Sequence, residues 1–468
     1  MQNPQVTSVP AAQLNSAVEA LKSLLGARAS TALVQREHHA HGESYHAPAM
    51  PDAVCYPHST EEVSEILKIS AKYQVPVIPF GGGTSLEGHV NALYGGISID
   101  LREMNKVLRV SPEDLDVTVE AGVTRQQLNK ELNNTGLTFF IDPGGESTLG
   151  GMAATRASGT TTVRYGTMRD NVLALTVVMA DGRIIKTGTR ARKSSAGYDL
   201  TRLFVGSEGT LGVITDLTLR LHPQPEAVSA AVCSFPSIES AVKTVIETIQ
   251  FGASVARIEL LDNAQMDAIN RYSKTDYPVA PTLFFEFHGS SDRHVSEQAE
   301  FVQSIAEEHG ASGFQWATRL EDRDKLWEAR HAAYYAAIAL RPGAKGMATD
   351  ACVPISRLAE CILETQQDNR SAPFPVALVG HVGDGNFHCV YVFDPANEAE
   401  VAEAERLAGR IATRALAMGG TCTGEHGIGY GKMKYLEAEH GPALEVMRAI
   451  KRALDPDNRM NPGKMVKV

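Results

Sequence analysis

The stretch DPGGESTLGGMAATRASGTTT, residues 142–162, decides how this chain is read. Its 21 residues hold five glycines and seven serines or threonines, with only Asp142, Glu146 and Arg156 charged. A second stretch of the same texture, PFGGGTSLEG at 79–88, follows the candidate strand Val77-Ile78-Pro79. A diphosphate needs several backbone N–H groups converging on it with no Cβ in the way, and consecutive glycines among hydroxyl donors supply such a concave nest. One loop of this kind reads equally well as a tight turn between strands. Two of them favour a large nucleotide held mainly by backbone. Neither is G-x-G-x-x-G opening a helix, so the nicotinamide fingerprint is absent, as are the G-x-x-x-x-G-K-[ST] phosphate loop and the G-x-S-x-G elbow.

Outward from these loops, the chain has 468 residues, room for about three domains or two large ones and enough to bury a core without staples. Its 44 basic and 55 acidic residues give a net charge of −11. That argues against a nucleic-acid binder but leaves room for a local cationic pocket. The longest apolar run, Ala332 to Leu340, is too short to span a bilayer. No basic cluster precedes an apolar core at the N-terminus, and the Arg-rich, Ser-rich texture of an organelle transit peptide is missing. The expected compartment is therefore the cytoplasm, with peripheral attachment at the inner membrane as the alternative. The cysteines (55, 233, 352, 361, 389 and 422) form no C-x-x-C pair; they read as small buried hydrophobes in a reducing compartment.

Pattern predicts an amphipathic helix over 11–25, and a helix from the Ser59-Thr60-Glu61-Glu62 capping box to about Tyr73. It also predicts strands at 97–101 and 115–120, and a helix over 124–135 stopped by Gly136. A hairpin over 172–187 turns at Asp181-Gly182. Residues 213–221 alternate with Leu217, Leu219 and Leu221 inward. The breaker run His222-Pro223-Gln224-Pro225 marks a boundary. Beyond it, helices at 239–250, 295–309, 321–340 and 397–418 alternate with strands at 229–235, 283–288, 375–381 and 387–393, an α+β layer of helices on an antiparallel sheet.

VGHVGDGNFH, residues 379–388, is the sharpest cluster of side chains. A symmetric hairpin about Asp384-Gly385 sets His381 directly across from His388, and cross-strand neighbours stand roughly 4.5–5.5 Å apart at Cβ. Two imidazoles so placed can share a cation; they read equally as polar surface residues. TGEHGIG, residues 423–429, offers Glu425 as a third ligand, since two His and one carboxylate leave positions open for water or substrate.

The two glycine loops, together with RYGTMRDN at 164–171 and GSEGTLG at 206–212, closely resemble the FAD-binding domain of the vanillyl-alcohol-oxidase-type flavoproteins. The resemblance runs from about Ala49 to the C-terminus and is nearest to the cytochrome-linked D-lactate dehydrogenases, with glycolate oxidase flavin subunits and D-2-hydroxyglutarate dehydrogenases as cousins. It implies an α+β protein, a two-subdomain FAD-binding domain joined to an α+β cap domain with an antiparallel sheet. The implied organisation is an N-terminal helical segment (1–48), the FAD-binding domain (49–225), a substrate or cap domain carrying the metal hairpin (226–424), and a C-terminal segment returning to the FAD domain (425–468).

The resemblance further implies that FAD is lined by Pro79, Gly81, Gly82, Gly83, Thr84, Ser85, Gly88 and His89 from the first loop. The second loop and its sequel supply Pro143, Gly144, Ser147, Thr148, Gly151, Ala154, Ser158, Gly159, Thr161 and Tyr165. Glu208, Gly209, Val213, Ile214 and Asn461 follow, with Val213 and Ile214 on the adenine side. Some relatives tether the flavin through a His in the first loop; here that stretch is Gly81 to Ser85, so a non-covalent flavin is expected. A divalent metal is implied on His381, His388 and Glu425, and these ligands suit Zn²⁺, Mn²⁺ or Fe²⁺.

The implied reaction oxidises a D-2-hydroxy acid to the 2-oxo acid by hydride transfer to the flavin. An alcohol with a pKa of ~16 does not ionise unaided near neutrality, whereas a bound metal lowers the pKa of a coordinated oxygen by many units. His426, beside Glu425, is then the base; its other readings are a fourth ligand or a packed turn residue. Arg330 holds the substrate carboxylate through its planar fork, and Asn386 hydrogen-bonds the substrate oxygen. The hydroxyglutarate enzymes carry a Lys two positions before the Asp matching Asp350, and a Thr where Tyr334 stands; this chain has Ala348 in place of that Lys. The missing cation disfavours a dicarboxylate and favours a small side chain, as in lactate, with Trp327, Tyr334 and Met347 either lining its pocket or packing the core. No C-x-x-C-H haem site or Fe–S cysteine run occurs, so electrons leave to an external cytochrome, quinone or electron-transfer flavoprotein. The oligomeric state is open, a homodimer being the first assembly to consider. Alternatives are a glycolate or D-2-hydroxyglutarate dehydrogenase, an alkyl-dihydroxyacetone-phosphate synthase and a flavin subunit of a larger complex.

Overall fold

The computed structural model describes residues 9–468; the first eight residues of the expected N-terminal segment lie outside the described residues. The chain forms two compact units. The first takes residues up to Ser158, Gly166–Gln224 and Glu425–Val468; the second takes Gly159–Tyr165 and Pro225–Gly424.

In the first unit, strands Ala53–Cys55 and Val77–Phe80 run parallel to Ile97–Asp100 in a four-stranded sheet. The helix Thr60–Tyr73 joins the first two. Ser59 caps it by accepting from Glu62 N, and Gln74 ends it in the left-handed conformation. The reciprocal half of the expected capping box is missing. The Glu62 carboxylate is taken by the Arg28 guanidinium at 2.6 Å and by His58 N at 2.7 Å, and the Arg28 bond holds its pKa down at about 2.

A five-stranded antiparallel sheet follows, with Val213–Arg220 at its centre between Asp116–Glu120 and Val172–Val178. The predicted alternation holds: Leu217, Leu219 and Leu221 are fully buried. The C-terminal segment is stitched back to the same unit. Val77 N donates to Arg459 O and Asn461 N to Val77 O, while buried Lys451 donates to Thr210 O, Met460 O and Asp455.

The second unit is built on one antiparallel sheet. Its order is Ser312–Ala317, Ala227–Ser234, Thr282–Gly289, Val255–Leu261, Val376–Gly380, Asn386–Phe393, Lys345–Ala348, with Ala351–Cys352 also pairing with Asn386–Phe393. Helices Ile238–Gln250, Asp292–Glu308, Leu358–Asn369 and Glu398–Ala417 present apolar stripes to it. Two differences from the sequence reading bear on the site. The strand Val255–Leu261 was not anticipated, and the expected helix 321–340 is two pieces, Leu320–His331 and Ala333–Ala339. Among the described residues no helix is long and apolar enough to cross a membrane.

Candidate active site

The unanticipated strand carries the residue that organises the second unit's polar face. Leu260 pairs with Gly380 and Leu261 with Val379, so Glu259 stands opposite His381, the residue after Gly380. Glu259 is fully buried. Its Oε1 lies 2.7 Å from His381 Nδ1, and its Oε2 accepts from Arg330 Nε at 2.9 Å and from Nη2. Burial pushes this carboxyl's pKa up, but the charges of His381 and Arg330 and the hydrogen bonds from both outweigh it, and the group stays ionised. Arg330 is itself buried, on the helix Leu320–His331; its Nη1 takes no part in the pair. Sequence reasoning missed Glu259 because a charge in a strand reads as solvent-facing, whereas here Arg257 and Glu259 point to the covered face.

The hairpin differs from its expected register. His388 pairs with Val379, not His381. The turn is a 3₁₀ turn over Val382–Asp384 closed by Gly385 at φ +77°, and it lifts His381 out of the ladder. Gly385 is required there on space as well: a Cβ would lie 2.1 Å from Val353 O. The two imidazoles still meet, with ring centroids 5.3 Å apart at 77°. His381 gives its Nδ1 to Glu259, and His388 gives its Nδ1 to Thr349 O at 2.8 Å. A neutral ring donating through Nδ1 carries its lone pair on Nε2, so each ring, once it gives up its second proton, is set to ligate through Nε2, backed by an oxygen acceptor as metal-binding His residues usually are.

The Asn386 amide nitrogen is engaged within the protein. Its two amide hydrogens go to Asp350 Oδ1 (2.7 Å) and Ala351 O (2.8 Å), and Asp350 also accepts from Thr423 Oγ1 at 2.6 Å. Asn386 thus ties the hairpin to the Asp350 and Thr423 segments. Trp327 is core, packed with Phe284, and the Arg257 guanidinium lies 4.7 Å above its ring. Met347 is buried, and Tyr334 packs on the Ala377–Val390 cluster.

In the first unit the two glycine loops come together. Thr84 Oγ1 and Ser147 Oγ are 2.8 Å apart. A Cβ on Gly81 would lie 2.5 Å from Thr148 Oγ1, and one on Gly82 3.0 Å from Glu146 O. Thr148 also caps the helix Leu149–Thr155 through Gly151 N. Gly144 and Gly145 form an exposed bend beside these hydroxyls, and glycine amides with Ser and Thr hydroxyls are the donors that suit a dinucleotide phosphate. Gly81→Val drives a branched side chain into Thr148. It is expected to lower FAD occupancy roughly tenfold, the equivalent of ~1.4 kcal/mol, read from the flavin-to-protein absorbance ratio.

Several residues expected to face the cofactor also make contacts within the protein. Val213 and Ile214 open the central strand, and their side chains are core. Glu208 accepts from Ile428 N (2.7 Å) and Gly429 N (2.8 Å) and lies 3.2 Å from His89 Nε2. Asn461 donates to Glu208 O and His89 O and accepts from buried Lys464. Pro79 lies in the strand Val77–Phe80 with Gly209 against its ring; Gly83 and Gly88 take positive φ; Ala154 O accepts from Glu208 N. Of these, Glu208 holds the segment after His426, through Ile428 N and Gly429 N. Glu425 Oε2 accepts from Ser158 Oγ at 2.7 Å, and Glu425 Oε1 lies 3.9 Å from His426 Nε2. Gly159, Thr161 and Tyr165 belong to the second unit, as do His381 and His388, whereas Glu425 opens the last segment of the first.

Comparison with known proteins gives two family matches: "FAD binding domain" over residues 51–188 and "FAD linked oxidases, C-terminal domain" over 224–465. A Danio rerio protein named "Probable D-lactate dehydrogenase, mitochondrial" is 52% identical, over 98% of this chain and 94% of that one. An Arabidopsis thaliana protein named "D-lactate dehydrogenase [cytochrome], mitochondrial" is 47% identical, over 96% and 80%. In fold, p-cresol methylhydroxylase superposes at a TM-score of 0.81 with 18% identity, over 97% of both chains.

Proposed function

Because this chain belongs to the FAD-linked oxidase family and is an FAD-dependent oxidoreductase, we propose that it oxidises D-lactate, and small D-2-hydroxy acids like it, to the 2-oxo acid and passes the electrons to an external acceptor. The observation that carries the reading is the buried Arg330–Glu259–His381 array. It presents a carboxylate anchor and an oriented imidazole on one sheet face.

FAD, when bound non-covalently at the glycine loops, supplies the hydride acceptor. A divalent metal, when held by His381, His388 and Glu425, acidifies an oxygen bound to it. Arg330 takes the substrate carboxylate with the guanidinium edge that Glu259 does not use. His426 accepts the hydroxyl proton. Asn386 acts as a positioning residue, holding the hairpin that carries both His ligands. Ala348, where the hydroxyglutarate enzymes carry a Lys, supplies no cation for a second substrate carboxylate. The cytoplasmic compartment, with attachment at the inner membrane through the acceptor, belongs to the same reading.

Anaerobic titration of the holoenzyme with D-lactate, L-lactate, glycolate and D-2-hydroxyglutarate tests the substrate. D-Lactate is expected to bleach the flavin fully and L-lactate not at all. Bleaching by glycolate or D-2-hydroxyglutarate in preference to D-lactate would replace the substrate assignment.

A further inference from the structure

The short strand Ala351–Cys352 and the two residues before it, Thr349 and Asp350, lie between two segments of the second unit that matter to the candidate metal site. On one side is the hairpin that carries His381 and His388. Ala351 pairs with Phe387 and Cys352 with Asn386. Thr349 O accepts from His388 Nδ1 at 2.8 Å, and Thr349 Oγ1 accepts from Cys389 N at 2.8 Å. On the other side is the stretch 421–424, which runs into Glu425. Thr421 N donates to Cys352 O at 2.8 Å, and Cys352 N donates to Thr421 O at 3.3 Å. A Cβ on Gly424 would run into the Asn386 amide and lie 3.2 Å from Asp350 Oδ1.

Asp350 is the acidic residue at this junction, and its side chain is fully buried. Its Oδ1 accepts from Asn386 Nδ2 at 2.7 Å, and its Oδ2 accepts from Thr423 Oγ1 at 2.6 Å. One carboxyl group therefore takes a donor from each of the two segments. His388 Nδ1 lies 3.7 Å from Asp350 Oδ1 and gives its hydrogen bond to Thr349 O. Asp350 thus approaches His388 from the nitrogen opposite the one left to ligate. A buried carboxyl group is a costly way to fill space. An apolar residue of the same size would leave the Asn386 amide and the Thr423 hydroxyl without this acceptor.

We propose that Asp350 is a positioning residue for the metal site: it fixes the segment entering Glu425 onto the hairpin that carries His381 and His388, and so preorganises the ligands. One oxygen acts on the hairpin through Asn386, the other on Glu425 through Thr423. Partners behind metal ligands set ligand orientation and with it affinity. The role rests on the reading above that His381, His388 and Glu425 hold a divalent metal, and it adds the residue that joins the two stretches supplying them.

The test is the affinity of the metal-free FAD holoenzyme for Zn²⁺ and for Mn²⁺, each titrated against a competing indicator, with flavin content and melting temperature followed in parallel. Asp350→Ala is expected to weaken binding about 10–100-fold, the range for a partner that orients a ligand. Thr423→Val keeps the shape and loses only the hydroxyl, so it reads the same role should Asp350→Ala fail to fold; about tenfold is expected, the lower end of that range. In a Glu425→Gln background Thr423→Val should weaken binding no further, because Thr423 acts through Glu425. A general loosening of the fold would still register there. Asp350→Asn should recover most of the affinity that Asp350→Ala loses. Its oxygen can serve Asn386 while its amide donates to the Thr423 hydroxyl, which accepts as well as donates. Wild-type affinity in Thr423→Val, a further loss from it in the Glu425→Gln background, or an Asp350→Asn as weak as Asp350→Ala overturns the proposal. Failure of the metal reading itself shows separately, as a wild-type holoenzyme that takes up neither cation.

Discussion

Glu259→Gln is expected to lower kcat/KM for D-lactate by roughly 10²–10³-fold while the protein still folds and binds FAD. Glutamine has the same shape but one acceptor oxygen and an amide that donates. Arg330 and the His381 Nδ1–H both donate into this position, so one of them must meet an N–H group. Arg330 would also lose its buried counter-charge. Removing one partner of a buried ion pair costs about 3–5 kcal/mol, and each 1.36 kcal/mol is tenfold in rate. The loss has two sources that separate on measurement. A disordered Arg330 raises KM. A His381 ring freed from its acceptor weakens metal affinity by about 10–100-fold, which metal titration of the variant reads directly. Wild-type KM and metal affinity together would remove Glu259 from both roles. Glu259→Asp is the conservative control: its shorter carboxylate reaches one partner at most, so one of the two losses should recover.

His426→Ala should leave the holoenzyme yellow and slow its bleaching by D-lactate about 10²–10⁴-fold, the range a positioned general base contributes. The flavin stays because the glycine loops that would hold it do not involve this side chain. The backbone stays because Glu208 grips the amides two and three residues on, Ile428 N and Gly429 N. Chelation should have a parallel effect, with turnover stopping while the flavin spectrum persists. Undiminished bleaching in the variant would end the role assigned to His426. Undiminished turnover after verified metal removal would do the same for His381, His388 and Glu425 as ligands.

The layered plan of the chain was legible where one rule acts alone. The alternation of Leu217, Leu219 and Leu221, the Ser59 cap, and the turn at Asp181-Gly182 are local, and the structure keeps them. The glycine loops were legible as a pair because their composition has few other uses, and they do meet. What escaped was set by tertiary partners. Glu62 left its capping box because Arg28 is a stronger partner than the Ser59 amide. The hairpin shifted register because a 3₁₀ turn needs Gly385 against Val353 O. The strand VARIELL went unread because its two charges face inward, each answered by a residue far away in sequence: Arg257 by Glu286, Glu259 by Arg330 and His381. Those inward charges were the available signal, since two opposite charges inside an apolar run suggest partners within the fold.

The chain passes between its two units at residues 158/159, 165/166, 224/225 and 424/425, so seven residues of the second unit are delivered from the middle of the first. A fragment cut as 225–424 would look complete by length yet lack this heptapeptide, leaving the His288 ring and carbonyl and the Ser254 carbonyl without Tyr165 and Arg164. Grafting experiments that trade catalytic halves between relatives must therefore move two non-adjacent stretches at once. Drift at Tyr165 is correspondingly tied to drift at His288, 123 positions further along the chain.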